Sequence, residues 1–269
     1  SFYDVTKHSW GGRLEMESRA GRIVQDAGSV IDVSARGNDA GAIEMSAVAG
    51  TVALGGTLRG GTTEGYADGR FALAADTIGD FGALNTRLSE SGFFGARRFT
   101  VKRGDLVVGN EVKAHAVEIA VDGGSLTVNG RIDASGEQVG SIRLSARDNL
   151  VLASGAALDA HGTVLRTDSH GAPIAAANRA SIELTAGRGT ITLARDAAID
   201  LRSADGVDRG RLELNASRVG GGDVAIDAAS RVDIRGAASI AENAFRRHVP
   251  VEGMVDQAYL DSVHADSQA

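Results

Sequence analysis

Short runs of alternating apolar and polar residues recur along this chain, and they come in threes. Residues 140–160 read GSIRLSARDNLVLASGAALDA, residues 180–202 repeat this as ASIELTAGRGTITLARDAAIDLR, and residues 41–54 open it again as GAIEMSAVAGTVAL. Period two places the outer residues of each triplet on one face and the middle one on the other. The middle residues Glu15, Glu44, Arg143, Glu183 and Glu213 are therefore expected in solvent, with Ile, Leu or Met on either side turned inward.

Six sets of three follow. They begin at Leu14, Ile43, Ile119, Ile142, Ile182 and Leu212, and their second strands lie near Val24, Val52, Leu126, Leu150, Ile191 and Val224. Three strands per return predict an all-β, three-sided parallel β-helix, each strand pairing with its copy about 4.8 Å along the axis. Ile142, Ile182 and Leu212 should then form one continuous internal column. A β-sandwich is the rival, because Asp122-Gly123, Asn129-Gly130 and Asp205-Gly206 could turn hairpins. The return of all three strands at matching offsets decides for the stack. Gly41, Gly140 and Gly210 fall at corners, where a tight bend, in places with positive φ, favours glycine.

The pattern breaks twice. Residues 60–111 hold Phe71, Phe81, Phe93, Phe94 and Phe99, and read as an aromatic-rich elaboration packed on the stack. Within it, residues 80–88 predict a short helix capped by Asp80, with Phe81, Leu84 and Leu88 on one side. Residues 161–179, with His161, Asp168, His170 and Pro173, read as a side loop. The division is thus 1–240 for the stack and 241–269 for a C-terminal extension or cap, with helix expected around Met254, Val255, Ala258, Tyr259 and Leu260.

Composition agrees with narrow layers. Aromatic residues are 4% of 269, there are 36 glycines, and the only prolines are Pro173 and Pro250, outside the repeats. Cysteine is absent, which removes thiol catalysis and thiolate metal sites. A net charge of −7 without a large basic run argues against nucleic acid as partner. No apolar run reaches the length that spans a bilayer, so membrane insertion is not expected. The chain opens at Ser1 in a polar stretch and reads as part of something longer.

Candidate chemistry is thin. Asp32, Asp133, Asp159, Asp200 and Asp233 recur in third strands. Stacked carboxylates could do acid–base work, but recurrence over many units fits corner aspartates accepting backbone N–H groups. His161, His170 and Asp168 lack metal-ligand spacing, so no catalytic residue, metal or cofactor is assigned. Phe93, Phe94, Arg97, Arg98, Lys102 and Arg103 join the aromatic break to the notable basic cluster, and stand as speculative binding residues for an anionic glycan or head group.

In the segments FGALNTRLSESGFF, DGGSLTVNGRIDASGEQVGSIRLSARDNLVLASGAALDAHG and NRASIELTAGRGTITL, the chain resembles filamentous haemagglutinin-like exoproteins of Gram-negative bacteria. The likeness covers most of residues 12–240. It implies a right-handed parallel β-helix, export by two-partner secretion through an outer-membrane transporter, and display at the cell surface or release. It further implies a structural shaft or adhesive region serving adhesion, biofilm or presentation of a distal effector, with host or bacterial surface glycans as partners. The alternative is a polysaccharide-active lyase or hydrolase, and more weight falls on a non-enzymatic role.

Overall fold

The computed structural model describes residues 11–220, 223–245 and 255–268. The strands come in successive units. The first holds β1 (Arg13–Glu17), β2 (Ile23–Gln25) and β3 (Val30–Asp32), and the second β4 (Ala42–Ala47), β5 (Val52–Leu54) and β6 (Thr57–Arg59). The third differs, since β7 (Arg70–Ala75) is followed by a helix, α1 (Phe81–Glu90). Next come β8 (Ala96–Val101), β9 (Leu106–Val108) and β10 (Val112–Lys113), then β11 (Ala116–Val121), β12 (Leu126–Val128) and β13 (Arg131–Asp133). The sixth unit holds β14 (Ser141–Ala146), β15 (Leu150–Leu152) and β16 (Ala157–Asp159), and the seventh β17 (Ser181–Ala186), β18 (Ile191–Leu193) and β19 (Ala198–Asp200). The chain closes with β20 (Gly210–Val219), β21 (Asp223–Val224), β22 (Ile226–Ala228), β23 (Asp233–Arg235), β24 (Ala237–Phe245) and α2 (Gln257–Gln268).

These strands do not form the expected three-sided right-handed parallel β-helix. Pairing divides them into five separate sheets of 10, 5, 5, 2 and 2 strands, in a fold that is mostly parallel and largely β. The ten-stranded sheet runs β1-β4-β7-β8-β11-β14-β17-β20, with β24 and β21 both on β20. β21 pairs antiparallel, which breaks the parallel rule at that end. The five-stranded sheets are β9-β12-β15-β18-β22 and β10-β13-β16-β19-β23, and the small ones are β2-β5 and β3-β6.

The physical reason for the division is α1. In the β7 unit a helix stands where second and third strands would pair, so β5 and β6 become edges and new sheets begin at β9 and β10. α1 packs on β9 and β10. From the same helix Arg87 donates to the carbonyl oxygens of Leu54 and Gly56, beside β5 and β6. An edge carbonyl that lost its ladder partner thus regains one from a side chain. The helix forms as its residues dictate: Asp80 Oδ1 accepts from Ala83 N at 2.8 Å as N-cap, and Phe81 and Leu88 are buried.

Residues 60–111 therefore contribute strands to the long sheet as well as an elaboration. Ile43 pairs with Phe71, Phe71 with Arg97, Arg97 with Val117 and Val117 with Ile142. Ile142 pairs onward with Ile182, and Ile182 with Leu212. The column of inward residues is apolar except at Arg97, which is 0% exposed. Around it the aromatic rings interlock. Phe71 and Phe93 meet edge-on at 5.9 Å between centroids, and Phe81 and Phe99 do so at 4.9 Å. A Cβ at Gly60 would lie 2.6 Å from the Phe93 ring, so glycine there makes room for it.

The corner glycines act through space rather than backbone conformation. None of Gly41, Gly140 and Gly210 is among the glycines with positive φ, so the left-handed bend expected at some corners is not what selects glycine at these three. A Cβ at Gly140 would sit 2.0 Å from the Ala134 carbonyl oxygen, and one at Gly41 1.8 Å from that of Gly12. At Gly210 the obstacle is the Leu201 Cβ, 2.4 Å away. Neighbouring backbones approach too closely there for any side chain.

At the C-terminal end residues 257–265 of α2 are exposed apart from half-buried Tyr259 and Val263, with Leu260 48% exposed. Pro250 and Met254 lie outside the described residues.

Candidate functional site

One five-stranded sheet aligns the recurring aspartates. Asp133 on β13 pairs with Asp159 on β16, and Asp159 with Asp200 on β19. Lys113 and Arg235 close the ladder at its two ends, paired with Asp133 and Asp200. Asp233 is out of line, two residues along the strand beside Ala198, and Asp32 lies in the separate β3-β6 sheet opposite Arg59.

Asp32, Asp133, Asp159 and Asp200 each turn the chain at the end of a strand, whereas Asp233 begins one. Asp133 Oδ1 accepts from Ser135 N at 3.1 Å and Ser135 Oγ at 2.5 Å. Asp32 does the same for Ser34, and these bonds hold its carboxyl below the usual carboxylate range. Asp159 Oδ1 takes His161 N at 3.1 Å and lies 2.6 Å from His161 Nδ1. Asp200 takes Arg202 N at 3.1 Å. Burial pushes Asp200 up, but the Arg202 guanidinium more than offsets this and its pKa stays below the ordinary value.

Asp159, His161 and Asp200 bring three possible ligand atoms within 4.8 Å of one another. The sequence alone groups His161 with Asp168 and His170 instead. Asp168 is occupied in its own turn, accepting from His170 N at 2.8 Å and Ala172 N at 2.9 Å. The loop that carries them is closed by Asn178, buried and bonded to Arg166 N, Arg166 O and Ile174 O. No sequence pattern had singled out Asn178.

Arginines already hold the carboxylates of the three-residue cluster. Arg131 donates to Asp159 Oδ2, and Arg202 binds both oxygens of Asp200. A cation would have to displace these guanidinium groups, and a general acid would need a carboxyl with a raised pKa. The arrangement suits a charge-balanced seam along the sheet.

The basic and aromatic residues of 93–103 separate into different environments. Phe93 and Arg97 are buried. Arg97 donates to Phe93 O at 3.0 Å, to Asn85 O and Oδ1 at 3.1 Å each, and to Ser89 Oγ at 2.9 Å. Burial pushes its pKa down to about 10. Phe94 is half-buried, with the Arg97 guanidinium 5.8 Å from its ring centroid. Arg98 pairs with Glu118 at 2.9 Å, Lys102 with Asp122 at 2.5 Å, and Arg103 with Asp76. The structure therefore does not gather the six into one surface.

An open groove of about 970 Å³ runs across the long sheet, with Arg97 and Arg98 among the residues that line it. Small residues such as Ala96, Ala116, Ser141 and Ser181 lie along one of its columns. Beside them runs a column of charge in which Arg98 faces Glu118 and Arg143 faces Glu183, the latter pair bonded at 2.9 Å. Among the described residues no helix is long and apolar enough to cross a membrane.

Set against protein-family models, curated proteins and solved structures, the chain matches none of them.

Proposed function

We propose that this chain is a structural shaft or adhesive region of a large surface-displayed or secreted exoprotein of the filamentous haemagglutinin-like type. The observation that carries the reading is the long sheet. Its strands keep parallel register from β1 to β20, so the outer face repeats the same geometry at every step of about 4.8 Å. Such a face is extended, regular and charge-balanced, which suits a surface that spaces or attaches rather than one that turns over substrate. The resemblance adds an outer-membrane transporter as the export partner, a Gram-negative cell surface as the location, and surface glycans as the ligands.

The test is attachment. Beads coated with the purified chain are expected to adhere to host or bacterial cells more than beads coated with an unrelated β-rich protein. A glycan array with the same protein should return ligands that are bound and left intact. Equal adhesion of the two bead types, together with an empty array, removes the adhesive reading. Release of uronate or reducing ends from a bound glycan would instead favour the polysaccharide-active enzyme.

A further inference from the structure

The helix that divides the sheets leaves a cleft, and the cleft borders an unused strand edge. It has a volume of about 270 Å³ and lies between β5, the loop after β7 and the first turns of α1. Val52, Leu54, Leu73, Ile78 and Leu84 line it with apolar side chains, and Thr77, Asp80 and Arg87 add a polar rim.

β5 pairs with β2 on one side only. The bonds there run from Ile23 N to Thr51 O and from Gly55 N to Gln25 O, so odd-numbered residues face β2. Val52 and Leu54 accordingly turn their N–H and C=O groups away from β2. Arg87 takes the Leu54 carbonyl, which leaves the Val52 N–H, the Val52 C=O and the Leu54 N–H without backbone partners among the described residues. In later units the corresponding edge is covered. There β12 lies between β9 and β15, with Leu126 and Val128 buried and Thr127 between them.

We propose that this cleft receives an extended peptide segment of a partner protein, with apolar, polar and apolar side chains in succession, paired parallel to β5. Main-chain bonds to Val52 and Leu54 would hold the segment, and its two apolar side chains would enter the lined space beside Leu73 and Leu84. The chemistry of the occupant follows from the pattern that fills the same place elsewhere in the chain. This inference is independent of the adhesive reading.

The probe is a blocked, fluorescent peptide Gly-Ser-Leu-Thr-Val-Asn-Gly, the sequence of residues 124–130, titrated into the full chain and followed by anisotropy, beside a scrambled control. Saturable binding is expected for the peptide and not for the scramble. Val52→Pro deletes the one N–H of that residue without touching the odd-numbered ladder bonds, and should weaken binding about tenfold or more. Ala83→Trp, at an exposed position lining the cleft, should do the same by filling it. Arg87→Ala frees the Leu54 carbonyl and should leave affinity unchanged or higher. Equal binding of peptide and scramble, or undiminished binding in the well-folded Ala83→Trp chain, overturns the proposal.

Discussion

Arg97 Nη1 donates to both the main-chain and the side-chain oxygen of Asn85, each at 3.1 Å, and so ties α1 to the long sheet from within. Its guanidinium also reaches Phe93 O and Ser89 Oγ. Replacing it with methionine keeps much of the volume and takes a donor from each of these acceptors inside the core, of which Asn85 O retains Ser89 Oγ. Arg97→Met is expected to destabilise the fold by about 2–4 kcal/mol, and Arg97→Lys to recover only part of it, because one ammonium cannot reach the same spread of acceptors. Denaturant titration of the three proteins checks this.

At Gly140 the obstacle is an oxygen 2.0 Å from where a Cβ would sit. Both Gly140→Ala and Gly140→Val must push two backbones apart. A loss of about 2–4 kcal/mol is expected for alanine and at least as much for valine. If φ alone mattered, alanine would be accepted at this negative-φ position, so an unchanged melting point in Gly140→Ala would refute the close-approach account.

Ile182 lies between Ile142 and Leu212 in the inward column and is 1% exposed. Ile182→Ala should cost about 2–5 kcal/mol, the range for emptying a packed core position. Glu183, one residue on and turned outward, provides the contrast. Glu183→Gln loses a partly exposed pair with Arg143 and should change stability by no more than about 1 kcal/mol. Thermal melts of the two variants are expected to separate clearly.

Acid should weaken the fold through its turn aspartates. Asp32 is lowered from 3.8 by Ser34, and Asp200 is lowered because Arg202 outweighs the opposing effect of its burial. The unfolded chain therefore binds more protons than the folded one below about pH 4, and stability present above 3.8 is lost as pH falls through the folded values. Asp68 acts the other way, since burial raises its pKa above 3.8. In melting curves against pH, Asp32→Asn should flatten the acid decline and Asp68→Asn should steepen it.

Divalent cations offer a direct check on the Asp159, His161 and Asp200 cluster. With Arg131 and Arg202 already on its carboxylates, millimolar calcium or zinc is expected to leave the melting point where it was. A concentration-dependent rise, abolished in Asp200→Asn, would identify a metal site instead.

Where inward positions carry Ile, Leu or Val, the strands could be read from alternation alone, and β14 to β19 lie on their triplets. The stretch from β7 to β10 escaped that reading for a definite reason. Phe71 and Arg97 stand in the column that elsewhere holds aliphatic residues, and an arginine at an inward position erases the period-two signal. The helix was legible because Asp80, Phe81, Leu84 and Leu88 follow local rules. Its consequence for the sheets was not, since which strands lose their neighbours depends on where the helix docks. The candidate site divided in the same way. Turn aspartates are a local pattern and could be anticipated, whereas the ion pairs that neutralise Arg98, Lys102 and Arg103 come from residues a whole unit away.

Met45 pairs with Leu73 and Leu73 with Phe99, so the long sheet passes the helical unit without slipping a residue. Phase is conserved through the interruption. A unit can therefore exchange two of its strands for another element while the units on both sides stay aligned, which makes that position in the chain a tolerant place for inserted segments.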